Sequence, residues 1–286
     1  MPTPAERAAV LSEALPYIRE YHGRTVVIKY GGHAMVDEDL MGLVLRDVVL
    51  LHYVGIRPII VHGGGPEVSE LMRRLGKTPT FVDGLRVTDA ETIEIAEMVL
   101  AGKTNKGVVS LINQSGGRAV GLSGKDGNLI RARKMTRGAV DMGFVGEVVS
   151  VDPSLLHTLA DASYIPVICP VAVSDEGETL NINADLVAGD IAAAVSATKL
   201  ILLTDIEGVL EDKSRPETLL STLSLEDARR MVDEGKADKG MIPKLQSCIT
   251  ALQGGVESAH IIDGRVPHSL VVEIFTDLGI GTMVTH

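Results

Sequence analysis

Two similar stretches decide the fold: TVVIKYGG at residues 25–32 and PIIVHGGG at residues 58–65. Each contains a short run of Val and Ile, which is typical of a buried strand in a parallel sheet, and each ends in glycines. Ligands of parallel sheets bind beyond the carboxyl ends of the strands. The two stretches therefore predict one cleft lined by glycine turns, with Lys29 near the end of the first strand.

Apolar runs of the same kind recur along the chain. The predicted strands are residues 25–29, 57–63, 117–123, 164–170, 199–205 and 258–264. Between them, residues 37–55 and 66–76 carry apolar side chains at helical spacing and end near a glycine that can terminate a helix. This alternation predicts an α/β fold with a mainly parallel central sheet and helices on both faces.

The middle of the chain breaks this alternation. Residues 127–151 alternate with period two between glycines, which predicts hairpins beside the main sheet. Residues 174–185 predict a tight turn and a short strand, and the helix after Asp185 leads to a new strand. We therefore expect two lobes that share one continuous sheet and meet near residue 196. The predicted division is an N-terminal helix at 1–22, an N-terminal lobe at 23–196 and a C-terminal lobe at 197–286.

Composition argues against several functional classes. The chain has 286 residues, a net charge of −11, 3% aromatic residues and no Trp, so it lacks the basic face and stacking rings of nucleic-acid binding proteins. Cys169 and Cys248 are too few and too far apart for a disulfide framework or a zinc site, and we expect buried thiols. No apolar run is long enough to span a bilayer and the N-terminus lacks signal-peptide features, which predicts a cytoplasmic protein with no membrane partner.

The triple glycine Gly63–Gly65 is followed by Pro66, which suits the first position of a helix. Free N–H groups at such a helix start can bind an anion, although a purely structural turn would have the same sequence. The stretch matches neither common phosphate loop: the Lys and Ser/Thr of a Walker motif are absent, and Val68 replaces the last glycine of a dinucleotide fingerprint. Lys29 alone would be a surface lysine, but beside two glycine turns it suits phosphate oxygens.

Three further places offer groups for an anionic ligand. Arg86 stands at a loop tip, where it is either solvated or placed to capture a carboxylate. The helix after it is predicted to be capped by Thr88 or Asp89. Residues 181–185, NINAD, predict a helix cap at Asn183 while Asn181 and Asp185 can still face the cleft. Residues 240–244, GMIPK, place Lys244 in the first turn of a helix, where a cation strengthens the attraction for anions.

Together these motifs resemble the amino acid kinase family, and within it the branch that acts on N-acetylglutamate. The resemblance covers essentially the whole chain. It rests on IKYGG (28–32), VHGGGPE (61–67), GLRVT (84–88), AGKTNK (101–106), NINAD (181–185), LLTDIEGVL (202–210) and GMIPK (240–244), in that order. It implies a three-layer α/β/α sandwich with an added N-terminal helix, whose N-terminal lobe binds N-acetyl-L-glutamate and whose C-terminal lobe binds ATP. The implied activity is phosphorylation of the γ-carboxylate of N-acetyl-L-glutamate, in arginine biosynthesis.

The resemblance also implies a role for each site residue. Lys29 and Lys244 would neutralise the transferring phosphoryl group, Asp185 would orient both lysines, and Gly32 would contact phosphoryl oxygens. For the acceptor, the implied residues are Gly64, Gly65, Arg86 (a clamp for the α-carboxylate) and Asn181. For the nucleotide, they are Thr204, Asp205, Gly208, Gly240 and Met241. Mg²⁺ is expected on the ATP phosphates rather than in a protein metal site.

An ionised carboxylate needs no general base for its attack, so this chemistry requires no catalytic histidine. His62 is the histidine beside the glycine loop. We interpret it as structural support for that loop rather than as a catalytic group.

Residues 4–21 form a predicted amphipathic helix, and together with residues 260–283 they resemble the arginine-inhibited branch of the family. The apolar side of this helix comprises Val10, Leu11, Leu15, Ile18 and Tyr21. The resemblance implies a hexamer built as a trimer of dimers, and it leaves open whether the signalling protein PII binds. The candidate arginine-binding residues are Tyr17, His260, Glu273 and Gly279. The alternatives are a helix that packs on its own subunit and a merely structural C-terminal segment.

Two functional alternatives to the acetylglutamate reaction also stand. One is a sister kinase with another acceptor. The other is a catalytically idle scaffold that senses arginine or binds a partner.

Overall fold

The computed structural model describes residues 3, 5, 9, 12–35, 37–136, 140–212, 214–277 and 279–286. Val10 and Leu11 of the predicted N-terminal helix lie outside the described residues. The later part of that helix is present as α1, Leu15–Tyr21.

Fourteen strands are described, and all six predicted strands are among them. In chain order they are β1 Thr25–Tyr30, β2 Arg57–His62, β3 Phe81–Val82, β4 Leu85–Arg86, β5 Ala119–Ser123, β6 Ile130–Lys134, β7 Gly146–Val151, β8 Ile165–Cys169, β9 Val171–Val173, β10 Thr179–Asn181, β11 Lys199–Thr204, β12 Thr222–Ser224, β13 Ser258–Asp263 and β14 Gly281–Thr285.

Eight of the strands form the main sheet, in the order β12-β14-β13-β11-β1-β2-β8-β5. Its strands are parallel except for the β13–β14 pair. Strand β1 lies at its centre, where Ile28 stands opposite Ile201 of β11 on one side and Ile60 of β2 on the other. The sheet is therefore continuous across residue 196, while the division of the chain into two lobes stays a prediction.

A second sheet holds the middle of the chain, with the order β10-β9-β6-β7. Strands β6 and β7 form an antiparallel pair, as do β9 and β10. The predicted hairpins at 127–151 and the turn and strand within 174–185 are confirmed. A short antiparallel pair, β3–β4, stands apart from both sheets.

Helices connect the strands and cover the main sheet. After α1 they are α2 Glu38–Tyr53, α3 Gly65–Arg74, α4 Ala90–Glu97, α5 Asn105–Gln114, α6 Ser154–Asp161, α7 Ala184–Ala194, α8 Leu225–Asp233, α9 Ile242–Gln253 and α10 Ser269–Phe275, with a π-helix at Met98–Thr104. As predicted, α2 and α3 are followed by left-handed glycines, Gly55 with φ +95° and Gly76 with φ +78°. In the part of the chain that is described, no helix has the length and apolar character needed to cross a bilayer.

The core lies on both faces of the main sheet. Val27 of β1 belongs to a buried cluster that includes residues of α7 and α9. Its neighbours Val26 and Ile28 point the other way, into a cluster that includes residues of α2. Alternate residues of one strand thus pack against helices on opposite sides, which confirms the three-layer sandwich. Cys169 and Cys248 are buried free thiols in this core, as expected.

Helices α7 and α9 approach closely on one face of the sheet. A Cβ atom added to Gly189 of α7 would lie only 2.6 Å from the carbonyl oxygen of Ser247 in α9. The hydroxyl of Ser247 donates a hydrogen bond to the carbonyl oxygen of Asp185, at 2.6 Å. This contact fixes the distance between the two helices that carry Asp185 and Lys244.

We predict that Gly189→Ala destabilises the fold even though alanine favours helices. The added methyl group meets the Ser247 backbone, and overpacking of this kind typically costs about 1–3 kcal/mol. Urea unfolding followed by circular dichroism measures the change in the free energy of unfolding.

Gly107 is the matched control because it lies inside helix α5 and a Cβ there would have no atom within 4 Å. Gly107→Ala should stabilise the protein by about 0.5–1 kcal/mol. Equal effects of the two substitutions would show that the α7–α9 contact is not tight.

Candidate active site

A buried carboxylate holds two lysines at the centre of the molecule. Lys29 comes from β1, Asp185 from the first turn of α7 and Lys244 from the first turn of α9. The Lys29 Nζ atom lies 2.8 Å from Asp185 Oδ1, and the Lys244 Nζ atom lies 2.9 Å from Oδ2. Burial opposes ionisation of Asp185, but the two ammonium groups outweigh it and lower its pKa to about 2. The centre is therefore ionised and carries one net positive charge.

The glycine turns after β1 and β2 meet beside these lysines, as the sequence predicts. A Cβ atom at Gly31 would lie 2.8 Å from Lys29 Nζ, and one at Gly63 would lie 3.5 Å from the Gly31 Cα atom. Gly64 has φ +155°, and a Cβ there would lie 2.5 Å from Leu100 Cδ2. Only glycine satisfies this conformation and this contact at once.

A cavity of about 270 Å³ opens beside Lys29 and Asp185, and we call it the glycine-loop cavity. It is lined by Lys29, Gly32, Gly63–Gly65, Pro66, Val68, Phe81, Gly84, Leu85, Arg86, Leu100, Val145, Pro170 and residues 181–185. Every residue predicted to bind the acceptor thus borders this one cavity.

Arg86 is buried in the wall of this cavity, with 8% of its surface exposed. Its Nη2 atom donates to the carbonyl oxygen of Gly65 and to Ser69 Oγ, each at 2.8 Å, and its guanidinium lies over the Phe81 ring at 4.8 Å. Within the described residues no carboxylate pairs with it, and burial lowers the pKa of the guanidinium. A buried cation without a counter-charge favours an anionic ligand.

The side chains around NINAD divide as predicted. Asn183 caps α7 by accepting from the backbone N–H groups of Asp185 and Leu186. Asn181 faces the cavity, and its Nδ2 atom donates to Thr88 Oγ1 at 3.3 Å. Of the two proposed caps for α4, Asp89 is the one that accepts from the helix backbone.

A second cavity, of about 340 Å³, lies beyond the ends of β11 and β13, and we call it the Gly208 cavity. Its lining includes Asp205, Gly208 and Met241. It adjoins the glycine-loop cavity, because a Cβ at Gly32 would lie 3.8 Å from Asp205 Cγ. Gly208 has φ +154°, and a Cβ there would lie 2.6 Å from Thr282 Oγ1.

Two of the predicted nucleotide residues are not part of the lining of this cavity. The Thr204 hydroxyl is buried and donates to the carbonyl oxygen of Ile206 at 3.0 Å, so it shapes the turn after β11. Gly240 is exposed just before Met241. The assignments of Thr204 and Gly240 to the nucleotide stay predictions.

Comparisons with known proteins agree with this geometry. Residues 24–263 match the model of the amino acid kinase family. The chain belongs to this family. A protein of Pelotomaculum thermopropionicum named acetylglutamate kinase is 57% identical, and the alignment covers 99% of each chain.

Solved structures of N-acetylglutamate synthase from Neisseria gonorrhoeae also resemble the chain. One, complexed with coenzyme A and N-acetyl-glutamate, has a TM-score of 0.85 and 30% identity, covering 98% of this chain and 63% of the synthase. Another, complexed with coenzyme A and L-arginine, has a TM-score of 0.81 and 29% identity, covering 97% and 65%. The chain thus spans somewhat less than two thirds of the synthase.

In this amino acid kinase, the residues predicted to bind arginine lie around Glu273. His260 Nδ1 lies 2.6 Å from Glu273 Oε1, and the N–H of Ile280 donates to Glu273 Oε2 at 2.9 Å. A Cβ at Gly279 would lie 3.6 Å from Glu273 Oε2. Tyr17 joins this group less directly, because its hydroxyl donates to Asp277 Oδ1 at 2.6 Å.

Residues that support Arg86 were not identified from the sequence. Ser69 lies one helical turn after Gly65 in α3, so helical spacing could have placed both beside the same guanidinium. Phe81 lies in the short strand β3, and no local sequence pattern predicts its stacking on Arg86.

Asp185 and Asp190 lie in the same helix, and we predict opposite effects of amidating them. Asp185→Asn leaves the buried Lys29 and the partly buried Lys244 without a counter-charge, so the free energy of unfolding at pH 7 should fall by about 3–5 kcal/mol. Because the pKa of Asp185 is depressed to about 2, its stabilisation exists above its unfolded pKa near 4 and is lost as the pH falls through 2. As the pH falls from about 4 to 2, the difference in the free energy of unfolding between the variant and the unaltered chain should therefore shrink, as measured by urea unfolding.

Asp190 serves as the contrasting variant, since burial raises its pKa to about 6. A raised carboxyl pKa stabilises the fold below the unfolded pKa, and the stabilisation is lost as the pH rises through 6. Asp190→Asn should therefore stabilise the protein relative to the unaltered chain at pH 7 but not at pH 4. If both variants destabilise the protein at pH 7, the surroundings of Asp190 do not disfavour its ionised form, and this prediction is wrong.

Proposed function

We propose that the chain transfers the γ-phosphoryl group of ATP to the γ-carboxylate of N-acetyl-L-glutamate, in arginine biosynthesis. A carboxylate oxygen forms the new bond to phosphorus, the bond to the β–γ bridging oxygen breaks, and ADP leaves with that electron pair. The products are N-acetyl-L-glutamyl 5-phosphate and ADP. The observation that carries the proposal is the Lys29–Asp185–Lys244 centre, whose Lys29 and Asp185 border the glycine-loop cavity next to the Gly208 cavity.

The charges of this centre suit phosphoryl transfer to a carboxylate. The acceptor is ionised at neutral pH and needs no base, so the remaining task is to bring two anions together in line. Lys29 and Lys244 would neutralise the transferring group, and Asp185 holds both ammonium groups in place before the ligands arrive. Such preorganised charge lowers the barrier without a reorganisation cost at the moment of reaction.

Acceptor binding would use the glycine-loop cavity. Arg86 supplies an unbalanced buried positive charge for the α-carboxylate, and Asn181 supplies an amide for the acylated amine. The N–H groups of Gly64 and Gly65 would contact the γ-carboxylate and the phosphoryl oxygens. The relative named acetylglutamate kinase and the synthase structure with bound N-acetyl-glutamate support this acceptor.

ATP would occupy the Gly208 cavity, and the residues there fit it. Its lining combines apolar side chains for the base, such as Met231 and Met241, with the cations Lys236 and Arg265 for the phosphates. Gly208 lets the turn after β11 pack against Thr282 where a side chain would not fit. Magnesium would come with the nucleotide phosphates and would add positive charge at the transferring group.

Arg86→Lys tests the acceptor, measured in an assay that couples ADP release to NADH oxidation. Lysine cannot reproduce the planar fork of donors, so we expect kcat/KM for N-acetylglutamate to fall about 100-fold while the KM for ATP stays nearly unchanged. If the unaltered chain consumes no ATP with N-acetylglutamate, the proposed function is wrong. Unchanged kinetics of the variant would refute only the clamp.

Arg73→Lys is the matched control. Arg73 lies in α3 near Arg86, but it is exposed and pairs with Glu70 at 2.8 Å. This substitution should change kcat/KM by less than about twofold, because exposed ion pairs contribute little.

We further propose that arginine inhibits this reaction by binding near Glu273, and that α1 helps to assemble a hexamer. The carboxylate of Glu273 is a partner for a guanidinium, and the Tyr17–Asp277 hydrogen bond links α1 to the segment after α10. Leu15 of α1 is 55% exposed, which offers an apolar contact for a neighbouring subunit. The synthase structure with bound L-arginine supports this site.

Deletion of residues 1–22 and the variant Glu273→Gln test both parts of this proposal. The deletion should reduce a hexamer to a dimer, as measured by light scattering. Glu273→Gln should weaken inhibition by arginine at least about tenfold, because a charged hydrogen bond is lost. Basal kcat should change little in either case. Glu257→Gln makes the same change at an exposed position and is the control for Glu273→Gln. A hexamer that survives the deletion would contradict the role of α1.

A further inference from the structure

Asn105 lies behind the glycine loop and is fully buried at the start of α5. Its side-chain Nδ2 atom donates to the carbonyl oxygen of Val167 in β8 at 2.9 Å and lies 3.1 Å from His62 Nε2. Its Oδ1 atom accepts from Lys106 Nζ at 3.0 Å. One amide thus joins the middle of strand β8, an imidazole and a lysine.

These partners fix the direction of the amide. If it were reversed, its oxygen would face the carbonyl oxygens of Val167 and Leu122, and its NH₂ group would face the Lys106 ammonium. Both arrangements are repulsive, so the NH₂ side faces His62. The His62 Nε2 atom therefore accepts a hydrogen bond and carries no proton.

The proton of the imidazole is then on Nδ1, which lies 2.6 Å from the carbonyl oxygen of Gly63 and donates to it. Burial lowers the pKa of His62 to about 4, so the ring is neutral at physiological pH. Within the described residues, Lys106 is the charged side chain that adds to this shift. Asn105 and Gly63 together select one of the two neutral tautomers.

The tautomer determines the orientation of a peptide in the glycine loop. In a planar trans peptide the N–H points opposite to the carbonyl, so a Gly63 carbonyl held toward His62 turns the Gly64 N–H away from it. Between two glycines a peptide can rotate easily, and Gly64 has φ +155°. The Gly63 N–H donates to the carbonyl oxygen of Tyr30 at 2.8 Å. Both backbone polar groups of Gly63 are therefore bonded, the N–H to Tyr30 and the carbonyl oxygen to His62.

We propose that Asn105 is a positioning residue for phosphoryl transfer. It keeps His62 in the Nδ1–H tautomer, and His62 keeps the Gly63–Gly64 peptide with its N–H toward the reacting oxygens. The inference rests on the proposed function, in which that N–H binds the γ-carboxylate and the phosphoryl group. A role limited to joining β2, β5 and β8 would place no demand on the proton of His62.

Asn105→Asp tests the tautomer by replacing the donor with a carboxylate. At about pH 8 the neutral ring should move its proton to Nε2, where the carboxylate accepts it, and the Nδ1 lone pair then faces the Gly63 carbonyl. This repulsion rotates the peptide, and we expect kcat to fall about 100-fold, as on loss of one oxyanion donor.

Lower pH should partly rescue this variant. The new carboxylate raises the pKa of His62, so at about pH 6 the ring is protonated on both nitrogens and again donates to Gly63. Relative to the unaltered chain at each pH, kcat of the variant should rise at least about fivefold from pH 8 to pH 6. A variant within about threefold of normal kcat at pH 8, or one whose loss is the same at pH 6, would overturn the proposal.

Asn113→Asp is the matched control, since it makes the same change in the same helix at an exposed position. The Asn113 side chain only accepts a hydrogen bond, from the N–H of Ala119 at 2.7 Å, and a carboxylate can accept it equally. This variant should keep normal kcat at both pH values. A loss that recovers at pH 6 in this control would show that added charge, not the tautomer, causes the effect.

NMR of the unaltered chain gives an independent test that does not require any variant to fold. Long-range ¹H–¹⁵N spectra should show protonated Nδ1 and unprotonated Nε2 for His62 between about pH 6 and pH 8, because its pKa lies near 4. A protonated Nε2 in a chain that phosphorylates N-acetylglutamate would refute the positioning role alone. If the unaltered chain has no such activity, the proposed function and this role both fail.

Discussion

The structure depends on one shared carboxylate. Asp185 binds Lys29 of the central strand and Lys244 of helix α9, so three elements converge on a single buried charge. Each element must then be placed accurately: Asn183 begins α7 at the right residue, and the close approach at Gly189 sets the distance from α7 to α9. An error in any of them would leave a buried ammonium group without a partner, at a cost of several kcal/mol.

The same arrangement explains how a chain with a net charge of −11 can bind anions. One carboxylate against two lysines, with Arg86 buried in the same cavity wall, makes the interior of the cleft positive although the chain as a whole is acidic. Local charge decides the field within a cleft whose walls exclude water. The glycine turns add backbone N–H groups without adding side chains, so the ligand can lie close to these charges.

Sequence patterns predict the features that depend on neighbouring residues. They do not predict the side-chain contacts that depend on packing between distant parts of the chain. The strands, the meeting of the two glycine turns and the cap at Asn183 follow from short-range rules, and all are present. The hydroxyl of Thr204 bonds to the turn after β11, which no strand pattern distinguishes, and the assignment of Thr204 to the nucleotide stays a prediction. The stacking of Phe81 on Arg86 depends on a hairpin whose position the rest of the fold determines.

The π-helix at Met98–Thr104 is a further feature that local sequence patterns do not predict. Its last bond runs from the Asn105 N–H to the carbonyl oxygen of Leu100, five residues earlier, so these two residues lie on nearly the same face. That face contacts the glycine loop, since Leu100 packs beside Gly64 and Asn105 binds His62. In a regular α-helix the i+4 repeat would turn one of them away. The longer turn therefore costs helical regularity but lets a single segment support both sides of the loop.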